Sequence, residues 1–228
     1  MWMSQSLKEK SLRRNSQMKF VPLPKKFYNP SAEIVASLLL GHWLIRNTQT
    51  GPSGGIIVET EAYLINDPAC HAARGKTPRN STMFGPPGHS YIYLIYGFHF
   101  CFNTVCCAEG IPEAVLVRAI EPAFGESFMH EQRPVARLLD LTNGPAKLCS
   151  ALKIDRELDG TNLCDAASPI FVAKNPSVNL IRKERGPIIQ TKRIGITKAA
   201  DLPLRFYLEG SPFVSKRMSA RNPRADKA

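Results

Sequence analysis

The sequence has no run of about eighteen apolar residues, so no segment reads as a transmembrane helix. The first twenty residues lack the apolar core of a secretory leader. Their Lys8, Lys10, Arg13, Arg14 and Lys19 stand among Ser, Asn and Gln, and residues 1–24 read as a flexible basic arm. No Cys-x-x-Cys pair occurs, and no histidines sit at zinc spacing from Cys70, Cys101, Cys106, Cys107, Cys149 or Cys164. No metal is expected, and most of these thiols are read as reduced core residues. The turn Gly85-Pro86-Pro87-Gly88 is not followed by Gly-Lys-Ser or Gly-Lys-Thr, and Gly-x-Gly-x-x-Gly is absent, which argues against nucleotide hydrolysis. There is no internal repeat and no low-complexity tract. Acidic residues are scarce, 19 against 30 Lys and Arg, for a formal net charge of +11 and a pI near 9.6. A phosphate backbone suits that balance better than an acidic protein surface, with plain solubility as the alternative. An intracellular, soluble protein is expected, in cytoplasm or nucleoid if bacterial and in the nucleus if eukaryotic.

What is present fits one globular domain, since 228 residues with 43% hydrophobic content can bury a core. Asn29-Pro30 reads as a helix cap followed by proline at the first helical position, with Ile34, Val35, Leu38 and Leu39 sharing a face until Gly41. Residues 42–46 and 56–62 read as strands of a hairpin separated by the turn-rich Gly51-Pro52-Ser53-Gly54-Gly55. Residues 66–90 hold too much Pro, Gly and Asn for a long regular element, and a loop of that length is expected to wrap a site. Further strands are predicted over 91–95, 98–105 and 114–120, helices over 126–139 (interrupted at Pro134) and 145–152, and closing strands over 193–196 and 204–209. Residues 25–215 are the expected domain and 216–228 a basic tail. The order predicts an α+β fold, a single mixed domain with a predominantly antiparallel, curved β-sheet core and surrounding helices.

Two segments carry the chemistry. In the run Val58-Glu59-Thr60-Glu61-Ala62-Tyr63, strand alternation puts Glu59, Glu61 and Tyr63 on one face. Two carboxylates are costly to bury, so that face is either wet or its acids have partners and a task such as holding water. In the block from Tyr91 to Asn103, Tyr91, Tyr93 and Ile95 share one face and Ile92, Leu94 and Tyr96 the other. The rings cannot all serve one core, and exposed rings in a basic protein suit stacking on unpaired bases. Arg74, Lys76 and Arg79 form a basic loop that would touch phosphate or simply be solvated.

These residues resemble a known family. VETEAY at 58–63, His71, TPRN at 77–80, MF at 83–84, YIYLIYG at 91–97, CFN at 101–103, VLVRAIEP at 115–122, NGPAKLC at 143–149 and PLRFYLEGSPFVS at 203–215 are similar, in the same order, to the alkyladenine family of 3-methyladenine DNA glycosylases. The resemblance implies that Glu61 is the general base for the water attacking C1′ and that Arg118 helps hold that water. It implies that Tyr96 enters the duplex in place of the flipped nucleotide, that Tyr63, His71 and Tyr93 sandwich the extruded base, and that Asn103 discourages guanine. Glu59 has no catalytic counterpart and is read as structural. Phe98 and His99, beside the wedge, stand where the family often carries Met and Tyr.

A base inside a duplex is unreachable, so such an enzyme flips it, most cheaply when it is damaged. The expected protein is a monofunctional glycosylase, a monomer acting on damaged double-stranded DNA without cofactor. It would excise purines of the 3-methyladenine, 7-methylguanine, hypoxanthine and ethenoadenine class and initiate base excision repair. No lysine falls at the matched pocket positions to form a Schiff base. Two other readings stay open: a nonenzymatic binder using the aromatic strands as a base platform, and a sugar hydrolase using Glu59 and Glu61 as an acid and base pair.

Overall fold

The structure, a computed structural model, describes residues 19–215. Residues 1–18 of the expected arm and the expected tail, 216–228, lie outside the described residues. Among the described residues there are eight strands, β1 (Trp43–Thr48), β2 (Gly51–Tyr63), β3 (Ser90–Ile95), β4 (His99–Cys106), β5 (Glu113–Phe124), β6 (Ile170–Ala173), β7 (Ile188–Thr191) and β8 (Arg205–Leu208). They form one curled antiparallel sheet with the path β3-β4-β5-β2-β1-β6 and with β8, carrying β7, paired to β2. The α-helices are α1 (Ala32–Leu39), α2 (Glu126–Gln132), α3 (Pro145–Ala151) and α4 (Val178–Glu184). The expected single α+β domain with a curved antiparallel core is what forms. No described helix is long and apolar enough to cross a membrane.

The length of β2 organises the sheet. Its first half pairs with β1, its second half with β8, and β5 runs beside nearly all of it. Register shifts against β5 on either side of Glu59 bend the strand where its carboxylates stand, a usual place for bulges. The expected turn over 51–55 is corrected: these residues belong to β2, and the hairpin turns at Gln49-Thr50. The glycines serve close approach instead, because a Cβ on Gly55 would lie 1.9 Å from the Glu121 carbonyl oxygen and one on Gly54 2.0 Å from that of Leu44.

Helix α1 begins two residues later than expected, at Ala32, with Ser31 rather than Asn29 at its cap position. The Ala32 N–H donates to the Glu113 carboxylate at 2.8 Å, a partner 81 residues away that also favours the positive end of the helix. Helix α2 stops at Gln132, because Arg133, preceding Pro134, leaves the helical region (φ −142°, ψ 82°); only a 3-10 turn at Leu138–Asp140 follows. The strand expected over 193–196 is instead a loop, and the closing pair is β7 with β8. Strand β6 and helix α4 were not foreseen. Phe20 packs edge-on against Trp43 and Phe124, and Leu23 donates to the Val172 carbonyl, so residues 20–23 run along β6.

The main core lies between the sheet and its helices, where Val58 and Ala62 of β2 meet Ala36 and Leu39 of α1, and where Thr60 donates to the Ala36 carbonyl. A second, smaller core on the opposite face of β3, β4 and β5 gathers Tyr91, Val105 and Ala114 with Cys70, Ala72 and Met83 from the long loop. Tyr91 and Ile92 are therefore both buried, on opposite faces, and Tyr63 and Tyr93 pack on the rim of the second core. All six cysteines are free thiols, four of them buried.

Candidate active site

Against that second core lies a cavity of about 490 Å³ with Glu61, Tyr63, His71, Tyr93, Asn103 and Arg118 in its wall. The side chains come from four elements: Glu61 and Tyr63 from β2, Tyr93 from β3, Asn103 from β4, and Arg118 from β5. His71 enters from the loop expected to wrap a site, which does so. Asn80 braces that loop, its amide donating to the carbonyls of His71 at 2.9 Å and Gly75 at 3.0 Å. Leu116, opposite both Glu61 and Asn103 in the sheet, places the three strands in register.

Glu61 is fully buried, and its charge is met from three sides. Arg118 Nη1 lies 3.1 Å from Oε1, the Ile194 N–H donates to Oε1 at 2.8 Å, and the Tyr63 hydroxyl donates to Oε2 at 2.9 Å. The residues expected as a strand thus matter as a loop, because their backbone turns in to reach the carboxylate. Glu59, equally buried, receives the Nε of Arg118 and of Arg205, each at 2.8 Å, together with the N–H and hydroxyl of Ser215. The acids of this face have partners, and Glu59, unlike Glu61, does not line the cavity. Burial opposes the Arg118 charge, but Glu61 and Glu59 beside it push its pKa above the ordinary arginine value.

The rings are ordered around this centre. His71 packs on Tyr93 with centroids 4.3 Å apart at 73°, and its Nδ1 is 2.8 Å from the Tyr91 hydroxyl. Desolvation by the surrounding rings, with Arg79 nearby, lowers the His71 pKa, so the ring favours its neutral form. Burial raises the phenols of Tyr63, Tyr91 and Tyr93, with Glu61 adding to the effect on Tyr63, and keeps all three as neutral donors. Burial likewise pushes the Cys101 thiol up to about 11. Behind Tyr63, the guanidinium of Arg193 stands 4.7 Å from the ring centroid and is paired with buried Asp67. The Asn103 amide donates to the Tyr91 carbonyl at 2.9 Å, fixing its orientation.

Tyr96 sits apart from the packed rings. It is 79% exposed at the β3–β4 turn, where Phe98 donates back to the Ile95 carbonyl. Tyr96 and Gly97 both have positive φ, 52° and 79°, as the central residues of a type I′ turn do. Phe98 is 71% exposed beside it and stacks on His99. Of the basic loop, Arg79 donates to the Leu94 carbonyl and stands over Tyr93, Lys76 stands over Phe84, and Arg74 is exposed, lining a shallow cleft with Lys198.

All seven residues singled out as catalytic, wedge or pocket groups line this one cavity. Arg205, Ser215, Ile194 and the Asp67–Arg193 pair escaped sequence reasoning, because each acts from more than 120 residues away on the group it supports. Arg205 and Ser215 do stand in the matched block 203–215, but that match carried no role for them. A lysine outside the matched pocket positions also lines the cavity: Lys147, on α3, donates to Asn143 at 2.7 Å and pairs with Asp140. Among the described residues no three His, Cys, Asp or Glu side chains gather as metal ligands.

The chain matches the family described as methylpurine-DNA glycosylase over residues 26–212. A protein of Methanoculleus marisnigri named "Putative 3-methyladenine DNA glycosylase" is 49% identical over 195 residues, covering 86% of this chain and 99% of that protein. Proteins of the same name from Francisella tularensis and Carboxydothermus hydrogenoformans are 48% and 46% identical, covering 80% and 86% of this chain and 92% and 99% of theirs. The chain belongs to the methylpurine-DNA glycosylase family, DNA N-glycosylases that serve base excision repair.

Proposed function

We propose that this glycosylase flips an alkylated or deaminated purine out of duplex DNA into the ring-lined cavity and hydrolyses its N-glycosidic bond with a water held by Glu61. The carrying observation is the state of Glu61. An ionised carboxylate offers about four acceptor positions. Oε1 faces both Ile194 and Arg118, whereas Oε2 takes only the Tyr63 hydroxyl, so the open position on Oε2 is where a water would sit. Bond cleavage builds positive charge on the sugar, and a buried carboxylate stabilises it while accepting the proton of the water. The cavity volume falls within the roughly 300–1,000 Å³ usual for small ligands.

Tyr63, His71 and Tyr93 would stack on the extruded base, and Tyr96 would fill the space it leaves, which offsets part of the cost of unstacking. Asn103, fixed by its bond to Tyr91, would oppose the exocyclic amine of guanine. Arg74, Lys76 and Arg79 would contact the backbone, in keeping with the +11 charge. The substrates are purines of the 3-methyladenine, 7-methylguanine, hypoxanthine and ethenoadenine class. A base alkylated at a ring nitrogen is already a good leaving group, so no cofactor is required. Lys147 is engaged by Asn143 and Asp140, which supports a monofunctional enzyme that leaves an abasic site. The enzyme acts as an intracellular monomer in this reading.

Single-turnover base release from a duplex with one hypoxanthine, and from methylated DNA, tests the proposal. Release by wild type and none by Glu61→Gln, with DNA binding retained, is expected. Binding without release by either protein would leave a nonenzymatic binder, and a borohydride-trapped DNA adduct would overturn the monofunctional mechanism.

A further inference from the structure

Glu59 does not line the cavity, yet it shares Arg118 with Glu61. It holds four donors: Arg118 Nε, Arg205 Nε and the Ser215 hydroxyl on Oε1, and the Ser215 N–H on Oε2. Fully buried and absent from the cavity wall, it is out of reach of the substrate. Its grip on Arg118 is directional, because a guanidinium is a rigid planar fork. Nε goes to Glu59 at 2.8 Å and Nη2 to the Ser215 hydroxyl at 3.3 Å, which leaves Nη1 as the group nearest Glu61, 3.1 Å from Oε1.

We propose that Glu59 is a positioning residue for base excision, which acts by anchoring Arg118 so that a single amino group of the fork meets Glu61 and Oε2 stays open to water. Without that anchor the guanidinium is free to turn both amino groups onto Glu61, in the bidentate pairing that arginine and carboxylate favour, and so to cover Oε2. Ser215 serves the same end from the far side of the chain. It donates to Glu59 and accepts from Arg118, tying the end of the described fold to the site. The inference rests on the proposed role of Glu61.

The test is a double-mutant cycle on the full chain. Maximal single-turnover release is measured for wild type, Glu59→Gln, Arg118→Ala and the double variant, alongside DNA affinity and thermal midpoint. A merely structural Glu59 would lower the midpoint and slow release equally on both backgrounds. The proposal expects Glu59→Gln to slow release on the order of 10- to 100-fold with DNA affinity little changed, and to cost nothing further once Arg118 is alanine. Equal losses on the two backgrounds would overturn it. Should Glu59→Gln not fold, Ser215→Ala carries the same comparison with a smaller loss.

A second readout is independent of chemistry. The Arg118 Nε–H resonance should exchange slowly with solvent in wild type and quickly in Glu59→Gln, or in Ser215→Ala if that variant replaces it. An unchanged resonance overturns the proposal. Absence of release by wild type would instead sink the excision reading, while the resonance still reports whether Glu59 holds the fork.

Discussion

The Tyr63 hydroxyl donates to Glu61 Oε2 at 2.9 Å, so a ring of the proposed base sandwich is also a direct partner of the proposed general base. The two functions are separable. Tyr63→Phe keeps the ring and removes a hydrogen bond to a charged group, worth about 1.5 to 3 kcal/mol. If the bond aligns the carboxylate for attack, release should slow roughly 10- to 100-fold while DNA binding holds. Tyr63→Ala should weaken binding of lesion-containing DNA as well. Burial and Glu61 keep the phenol protonated well past its ordinary range, so the rate should show no alkaline loss from this group up to about pH 9. Single-turnover rates for the three proteins, with binding measured separately, check this.

Tyr96 presents the opposite case, a large ring left outside the fold. Because it is 79% exposed, Tyr96→Ser should change stability by no more than about 0.5 kcal/mol. Its positive φ costs a tyrosine about 1 kcal/mol or more, which is tolerable at a site used for something else. Loss of the wedge should therefore appear in flipping alone. A fluorescent base analogue beside the lesion should brighten on binding wild type and not the variant. An unchanged signal would remove Tyr96 from the wedge role.

The strand alternation that put Glu59, Glu61 and Tyr63 on one face was legible because it depends on three residues of one strand. Burial of both acids was legible only as a choice between water and partners, since the partners arrive from Arg118, Ile194, Arg205 and Ser215, on segments whose return to β2 no local pattern encodes. Glycine misled the reading of one segment. In residues 51–55 it reads equally as turn or as close strand contact, and only the neighbouring carbonyls of Leu44 and Glu121 decide. Helix α1 was expected to start too early and with the wrong face: Ile34 and Leu38 are exposed, and Ala32, Val35, Ala36 and Leu39 make its buried side. Its first N–H is satisfied by Glu113, a long-range cap that makes the local Asn29-Pro30 signal irrelevant.

Gly55 turns that error into a prediction. A methyl group there would lie 1.9 Å from the Glu121 carbonyl oxygen, and the atoms it meets are the backbone of Glu121 and Pro122, which cannot swing aside as a side chain could. Gly55→Ala should cost about 3 kcal/mol or more, the upper range for overpacking. The strain falls on the β2–β5 pairing that also sets Glu61 opposite Leu116, two residues from Arg118. A chemical denaturation midpoint close to wild type would show that the strands can part locally.

His42 predicts an acid-dependent loss of stability that is separate from catalysis. The side chain is buried at the end of α1, where the Asn175 N–H donates to its Nδ1 at 3.2 Å, a bond that requires an unprotonated Nδ1. Burial first, then Arg182 and Lys174, lower its pKa from 6.5 to about 4. Between those values the unfolded chain binds a proton that the folded chain does not, so stability falls as pH drops through this window and is fully present above pH 6.5. The gap corresponds to about 3 kcal/mol at most. His71, lowered in the same direction, contributes with the same sign but is present in both proteins of a comparison with His42→Gln. Urea unfolding of that pair from pH 7 to pH 4 should therefore show wild type losing more stability. Parallel curves would mean that His42 accepts a proton within the fold.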